Sequence, residues 1–172
     1  SAGNHAQGVA LAASTLGIAS TVFMPVTAPL PKLSATKGYG AQIRLHGINI
    51  DEALEAAHTF AEETGARLIH PFDDRNIVAG QGTLGLEILE QLPDPELVVV
   101  PVGGGGLIAG VAAAINAIKP SVRIIGVEAE TIAPYVESRR AGTLTPVPPR
   151  YTLADGIAVS RPSQLCFEHI EE

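Results

Sequence analysis

The run ELVVVPV at residues 96–102 is the feature that most restricts what this chain can fold into. It is a continuous apolar segment of strand length, and four glycines and the apolar, helix-forming run 107–118 follow it. A strand that is apolar on both faces needs cover on both faces, which parallel sheets of α/β proteins obtain from the helices that connect their strands. The sequence therefore predicts an α/β fold built around a parallel sheet.

Strand and helix patterns alternate along the chain. We predict strands at residues 19–24, 42–45, 67–71, 96–102 and 123–128. We predict helices at residues 5–16, 51–64, 83–92 and 107–118. This alternation favours right-handed βαβ units, and the proline-rich stretch 143–152 is predicted to be a surface loop.

Charge and composition exclude several classes of function. The chain has 11 Lys+Arg against 18 Asp+Glu, a net charge of −7, so it lacks the basic character that binding to nucleic acid or an anionic membrane requires. Its apolar runs are shorter than the roughly 20 residues that cross a bilayer. A single cysteine, Cys166, excludes a disulfide framework and favours a cytoplasmic location. The opening run SAGNHAQG has neither the basic start nor the long apolar stretch of a signal peptide, and we expect both ends to continue in a longer protein.

The glycines 103–106, with Leu107 after them, form the first candidate site. They join a buried strand to a helix, and without Cβ atoms their backbone N–H groups can close around an anion at the helix N-terminus. This favours a phosphate site over a simple tight turn, which needs only one or two glycines. No Gly-Lys-Ser/Thr follows, so the loop is not a P-loop.

The same loop also fits a second interpretation. Gly104, Gly106 and Ala109 match G-x-G-x-x-A, and Glu128 ends the next strand, where a dinucleotide-binding fold carries its ribose-binding acid. An NAD site is therefore an alternative. It leaves the opening motif of the chain without a role.

The opening run SAGNHAQG, residues 1–8, is the second candidate site. Ser1 fits a helix cap, and the N–H groups of the helix that follows would face an anion. Asn4 can donate and accept a hydrogen bond at once. Capping explains the serine but not the Asn4–His5 pair, so a capped helix and a binding site are equally open on this string alone.

Five motifs, in this order, resemble the threonine/serine dehydratases, which are pyridoxal-phosphate (PLP) enzymes of the tryptophan-synthase β-like fold. The motifs are SAGNHAQG, MPVTAPLPKLSATKGYGAQIRLHG, HPFDDRNIVAGQGTLGLEI, VPVGGGGLIAG and LADGIAV. The resemblance implies parallel-sheet, three-layer lobes of the fold type II PLP architecture, here incomplete. It implies a small lobe at residues 1–72 and part of the large PLP-binding lobe at residues 73–172. It also implies a homo-oligomer that acts on a small amino acid.

The resemblance also implies roles for individual residues. In the family the glycine loop holds the cofactor phosphate, the asparagine binds the cofactor's 3′-oxygen, the first motif receives the substrate carboxylate, and the LADGIAV segment lines the cofactor ring. The cofactor-binding residues here would be Asn4, Gly103, Gly104, Gly105, Gly106, Leu107 and Gly156. The substrate-binding residues would be Ser1, Ala2, Gly3, Asn4 and His5.

The chain departs from the family in what it lacks. The family's Schiff-base lysine, which also moves the Cα proton, lies upstream of the asparagine motif, so we predict no catalytic residue in this chain. Lys32, Lys37 and Lys119 lie in stretches typical of solvated surface. The group that the family places against the pyridine nitrogen would lie beyond Glu172.

No metal site is predicted. Some relatives bind a divalent cation through a Glu and an Asp after the strand that follows the glycine loop. Glu128 matches the first of these, but Pro134 stands where the Asp would be. Asp73 and Asp74 look like paired carboxylates, but we predict that they cap the next helix.

Together these observations favour the middle segment of a PLP-dependent threonine/serine dehydratase, which eliminates water and releases ammonia to give a 2-oxo acid. The segment alone is predicted to be inactive because the lysine is missing. The alternatives are a nucleotide- or phosphometabolite-binding module without covalent chemistry and a structural chain that binds no ligand. The choice between threonine and serine, and between biosynthetic and catabolic use, stays open.

Overall fold

The computed structural model describes residues 3–171 and divides the chain between Pro71 and Phe72 into two compact units. Each unit holds one two-stranded sheet, and both sheets are parallel. This confirms the predicted α/β class with parallel strands. No helix in the described part of the chain is long and apolar enough to cross a bilayer.

The unit that ends at Pro71, called unit 1, packs three helices with one sheet. Its elements are α1 (Asn4–Thr15), β1 (Thr21–Met24), α2 (Leu30–Gly38), β2 (Gln42–Leu45) and α3 (Ile50–Thr64). Thr21 lies opposite Gln42 in the sheet, and Met24 lies opposite Leu45. Ala6 and Ala10 of α1 are buried with Met24, because their small side chains let the helix lie close to the strand.

Capping residues mark the ends of α3. The Asn49 side chain accepts a hydrogen bond from the Glu52 N–H at 2.9 Å, and the Glu52 carboxylate accepts one from the Ile48 N–H at 2.9 Å. These two bonds satisfy the N–H of Glu52 in the first helical turn and the N–H of Ile48 just before the cap. Gly65, at φ +71°, ends the helix in the left-handed conformation, as the sequence predicts.

The unit that begins at Phe72, called unit 2, packs four described α-helices with one sheet. Its elements are α4 (Arg75–Gln91), β3 (Leu97–Pro101), α5 (Gly106–Ile118), β4 (Arg123–Val127), α6 (Pro134–Ala141) and α7 (Gln164–Glu171). β3 and β4 pair from Leu97 opposite Arg123 to Pro101 opposite Val127. Glycines let α4 and α5 approach closely, since a Cβ on Gly110 would lie 2.6 Å from the backbone nitrogen of Gly82. The core of unit 2 therefore forms around α5, whose residues Val111 and Ile115 are almost completely buried.

Two predicted elements differ from the structure. The helix predicted at residues 83–92 begins earlier, at Arg75, because Asp74 accepts hydrogen bonds from Asn76 N–H at 2.7 Å and Ile77 N–H at 3.4 Å. Gly80 and Gly82 interrupt the helical pattern between this cap and Thr83, and the predicted role of Asp74 as a cap is confirmed. The strand predicted at residues 67–71 is wrong, because the segment pairs with neither strand of unit 1.

Candidate functional site

The glycine loop 103–106 joins β3 to α5 in unit 2. The hydrogen bonding between β3 and β4 continues one residue beyond the end of β3, where the Val102 N–H donates to the Val127 carbonyl at 2.8 Å. Gly105 is the residue that caps α5, and its φ of +90° is a left-handed conformation that favours glycine. The chain therefore turns from strand to helix within three residues, at the carboxyl end of the strand.

The inner side of this loop is filled by side chains of unit 2. A Cβ on Gly104 would clash with the ring of Phe72, and a Cβ on Gly105 would clash with the hydroxyl of Tyr135. A Cβ on Gly106 would lie 3.0 Å from the Phe72 Cβ. Glycine is required at these positions because the loop presses its backbone against packed neighbours.

Backbone N–H groups without helical partners stand at the start of α5. The first N–H that bonds back to the cap of α5 is that of Ala109, which donates to the Gly105 carbonyl at 3.0 Å. The N–H groups of the preceding turn therefore have no carbonyl partner within the helix. Together with the positive end of the helix dipole they form a cradle whose chemistry suits an anion such as a phosphate.

The segment around Gly156 lies beside this loop. Gly156 is in a short 3-10 turn, Asp155–Ile157, and a Cβ on Gly103 would lie 3.1 Å from the Cα of Ile157. No described atom lies within 4 Å of the position that a Cβ on Gly156 would take. The structure thus brings together two of the predicted cofactor segments, and it leaves the face at Gly156 open.

Glu128 has a structural partner that the sequence did not reveal. Its two carboxylate oxygens accept hydrogen bonds from the N–H groups of Tyr135 at 3.0 Å and Val136 at 2.8 Å, so it caps the first turn of α6. Burial raises the pKa of the Glu128 carboxyl, while these two N–H groups oppose that rise. A carboxylate engaged in this way is poorly placed for the ribose of a dinucleotide, which weakens the NAD alternative.

Among residues 3–171 no cluster of three or more metal-ligating side chains is found.

The opening motif lies in unit 1, and its predicted residues Ser1 and Ala2 are outside the described residues. Gly3 caps α1 without a side-chain hydrogen bond, and Asn4 is exposed at the first helical position. The His5 Nε2–H donates to the Ile69 carbonyl at 3.0 Å. Burial lowers the pKa of His5, so the neutral ring with its proton on Nε2 is favoured.

Lys37 is exposed, whereas Lys32 and Lys119 are half-buried. Lys119, just after α5, forms an ion pair with Asp94 and contacts the Pro93 carbonyl. Lys37 lies in the last turn of α2, where a cation interacts favourably with the helix dipole. The prediction that the chain holds no catalytic lysine stays a prediction.

Four residues behind the glycine loop, of which Phe72 is half-buried and the other three are buried, were missed by the sequence interpretation. Phe72, Tyr135, Ser163 and Cys166 come from three separate stretches of the chain, and the structure brings them together beneath the loop. Their separation in sequence leaves no local pattern to recognise. The one signal available was the HPF motif, which the resemblance included without assigning a role to Phe72.

The fold is that of an α/β protein with a glycine loop suited to an anion, and comparison with known proteins identifies the family. The family model described as "Pyridoxal-phosphate dependent enzyme" matches residues 1–172. The chain belongs to this family. The L-threonine ammonia-lyase of Thermotoga maritima is 54% identical over 172 residues, which are 100% of this chain and 43% of that relative.

Solved structures give the same result. The processed form of threonine deaminase isoform 2 from Solanum lycopersicum superposes with a TM-score of 0.92 at 43% identity, over 100% of this chain and 47% of that one. Maize serine racemase superposes with a TM-score of 0.93 at 39% identity, over 100% of this chain and 52% of that one. The chain thus spans about half the length of these relatives. The predicted PLP family and fold type II architecture are confirmed.

Proposed function

We propose that these residues form the phosphate-binding and substrate-binding part of a PLP-dependent L-threonine/L-serine dehydratase. The observation that carries this proposal is the glycine loop, whose N–H groups lie at the start of α5 and whose inner side admits no Cβ. The relatives named threonine ammonia-lyase and threonine deaminase support the substrate class. We include the cytoplasmic location and the homo-oligomer in the proposal. A biosynthetic role in making isoleucine and a catabolic role are both compatible with it.

The loop contributes binding by its backbone. The N–H groups of Gly103 to Leu107 would hold the doubly charged phosphate, and the dipole of α5 adds to their attraction. Because the inner side of the loop is packed, these groups are held in place before any ligand arrives. Preorganised donors bind more tightly than donors that must first be ordered.

The opening motif contributes the remaining contacts. The exposed amide of Asn4 would donate to the cofactor's 3′-oxygen, and the N–H groups at the start of α1 would hold the substrate carboxylate. Gly156 would offer only backbone to the cofactor ring. The bound cofactor would supply an electron sink for the charge that develops at the substrate Cα.

The net reaction of the proposed enzyme balances without an oxidant. The Cα–H and Cβ–OH bonds of threonine break and water leaves, then hydrolysis of the resulting imine consumes one water and releases ammonia with 2-oxobutanoate. A base must take the Cα proton, and in this proposal that base is a lysine outside these 172 residues. The residues of this chain position the reactants and move no proton.

The proposal is tested on the complete natural polypeptide that contains residues 1–172. Incubation with PLP and L-threonine is expected to give 2-oxobutanoate and ammonia in equal amounts, and L-serine is expected to give pyruvate. Formation of D-serine from L-serine without any 2-oxo acid would contradict the dehydratase assignment. Failure to bind PLP would overturn the whole proposal.

A matched pair of glycine variants separates binding from folding. Gly104→Ala places a methyl group against the Phe72 ring, whereas Gly80→Ala on α4 meets no atom within 4 Å. We expect PLP affinity to fall for Gly104→Ala and to be unchanged for Gly80→Ala. Equal affinities for the two variants would mean that the loop does not bind the phosphate.

A further inference from the structure

The hydroxyl of Tyr135 lies directly under the glycine loop. Tyr135, in the first turn of α6, is 4% exposed. Its Oη donates a hydrogen bond to the Gly104 carbonyl at 2.7 Å and accepts one from the Ser163 N–H at 3.1 Å. The phenol therefore connects the loop to the start of α7, and burial holds its pKa well above the ordinary range, so it remains a donor.

The geometry of one peptide links this hydroxyl to the outer face of the loop. The chain has no cis peptide bond among its described residues, so the C=O of Gly104 and the N–H of Gly105 point in opposite directions across one plane. Tyr135 draws the carbonyl inward. The Gly105 N–H must then point away from Tyr135, toward the side on which an anion would bind.

The hydroxyl is itself held in position. Ser163 Oγ donates to Asp73 Oδ1 at 2.7 Å and accepts from the Cys166 N–H at 3.1 Å, which caps α7. These two hydrogen bonds fix Ser163, whose N–H donates to the Tyr135 hydroxyl. A hydroxyl oriented in this way has little freedom to release the Gly104 carbonyl.

We propose that Tyr135 is a positioning residue for phosphate recognition, because it turns the Gly104–Gly105 peptide so that the Gly105 N–H faces the phosphate. This inference rests on the proposed function, since it takes the phosphate of PLP as the ligand of the loop. The coupling also works in reverse. An N–H that donates to a phosphate polarises its peptide, and the Gly104 carbonyl becomes a stronger acceptor for Tyr135.

The test compares two ligands that differ only in the phosphate. Dissociation constants for PLP and for pyridoxal are measured on the complete polypeptide and on its Tyr135→Phe variant, which loses one oxygen atom. The preference for PLP over pyridoxal is expected to fall by about five- to tenfold in the variant, with the affinity for pyridoxal unchanged. A merely structural role for Tyr135 would weaken both ligands alike, and that result would overturn the inference.

Tyr151→Phe is the matched control, because it removes the same atom from a residue that is 86% exposed. It should retain the full preference. If the unmodified protein itself does not prefer PLP over pyridoxal, the proposed function fails. If it does prefer PLP and Tyr135→Phe keeps that preference, only the inference about Tyr135 fails.

A second measurement needs no destabilising substitution. With 3-fluorotyrosine at position 135, the ¹⁹F resonance is expected to shift when PLP binds and to stay in place when pyridoxal binds. The reason is that only the phosphate polarises the Gly104–Gly105 peptide. Identical shifts with both ligands would contradict the proposed role, whether or not Tyr135→Phe folds.

Discussion

The glycines of the loop 103–106 and those at the start of unit 1 have opposite surroundings. Within unit 2, a Cβ at any of the four loop positions would lie in close contact with a neighbouring residue. Within unit 1, no described atom lies within 4 Å of a Cβ placed on Gly3 or Gly8. The packing of unit 2 explains why its loop has glycine, and nothing in the packing of unit 1 explains Gly3.

The same contrast holds for hydrogen bonds. The loop in unit 2 is supported by Tyr135, whose hydroxyl makes two of them. The cap of α1 in unit 1 makes no side-chain hydrogen bond, and His5 donates to the Ile69 carbonyl. The comparison indicates a glycine loop built into its unit and an opening motif left open at the start of a helix. Four predictions test it.

The largest effect is expected for Gly105→Ala. Alanine at this position would have to adopt the left-handed conformation of Gly105, and its methyl group would clash with Tyr135 and Cys166. The free energy of unfolding should therefore fall by about 3 kcal/mol. Urea unfolding measures this loss, with Gly80→Ala as the control in the same unit. A loss below that of an ordinary surface substitution would mean that the loop is not packed as described.

The cap of α4 comes next. Asp74→Ala removes the acceptor for two N–H groups, and we expect it to lower the free energy of unfolding by about 1 kcal/mol. Asn49→Ala, at the cap of α3 in unit 1, should cost a similar amount. Similar losses would show that the two units differ at their binding motifs rather than in how they begin helices. Thermal unfolding of both variants decides the point.

A gain is expected at Gly8. This residue is in the interior of α1 with open space around it, so Gly8→Ala should raise the free energy of unfolding by about 0.5 to 1 kcal/mol through helix propensity. Chemical denaturation again provides the measurement. A destabilised variant would mean that the start of unit 1 is packed as tightly as the loop of unit 2. The contrast between the two units would then not hold.

The smallest effect is a dependence on pH. Burial lowers the pKa of His5 from its ordinary value of 6.5, so the folded protein favours the neutral ring. The stability from neutral His5 is fully present above the unfolded pKa and is lost as pH falls through the lower folded pKa. The stability difference between the parent protein and His5→Gln should therefore shrink on acidification. Exposed His58→Gln is the control and should show no such change.

Sequence patterns predicted the regular elements of the fold well where periodicity was strong. β2 and α3 are placed within one residue of their predicted ends because alternation and caps mark them. The helical pattern of α4 was recognised only from Thr83 because Gly80 and Gly82 interrupt it, although the predicted cap of the next helix is confirmed for Asp74. The false strand at residues 67–71 shows that an apolar run forms a strand only where a partner strand is available.

The candidate site was predictable to a lesser extent. Local motifs indicated the loop, the opening run and the Gly156 segment, because each is contiguous in sequence. Tyr135 and Ser163 could not be found in this way, since tertiary folding brings Tyr135 to Gly104 across 31 residues and Ser163 to Tyr135 across 28. A hydrogen bond between distant residues leaves no periodic trace in a sequence.

The burial of Cys166 limits how fast its thiol can be alkylated. Its thiol is fully buried, its Sγ lies 3.4 Å from the Phe72 carbonyl oxygen, and burial raises its pKa. An alkylating reagent can reach it only during moments when the structure beneath the glycine loop opens. The rate of its modification therefore measures how often those openings occur. Any anion that binds the closed loop should lower this rate in proportion to its occupancy.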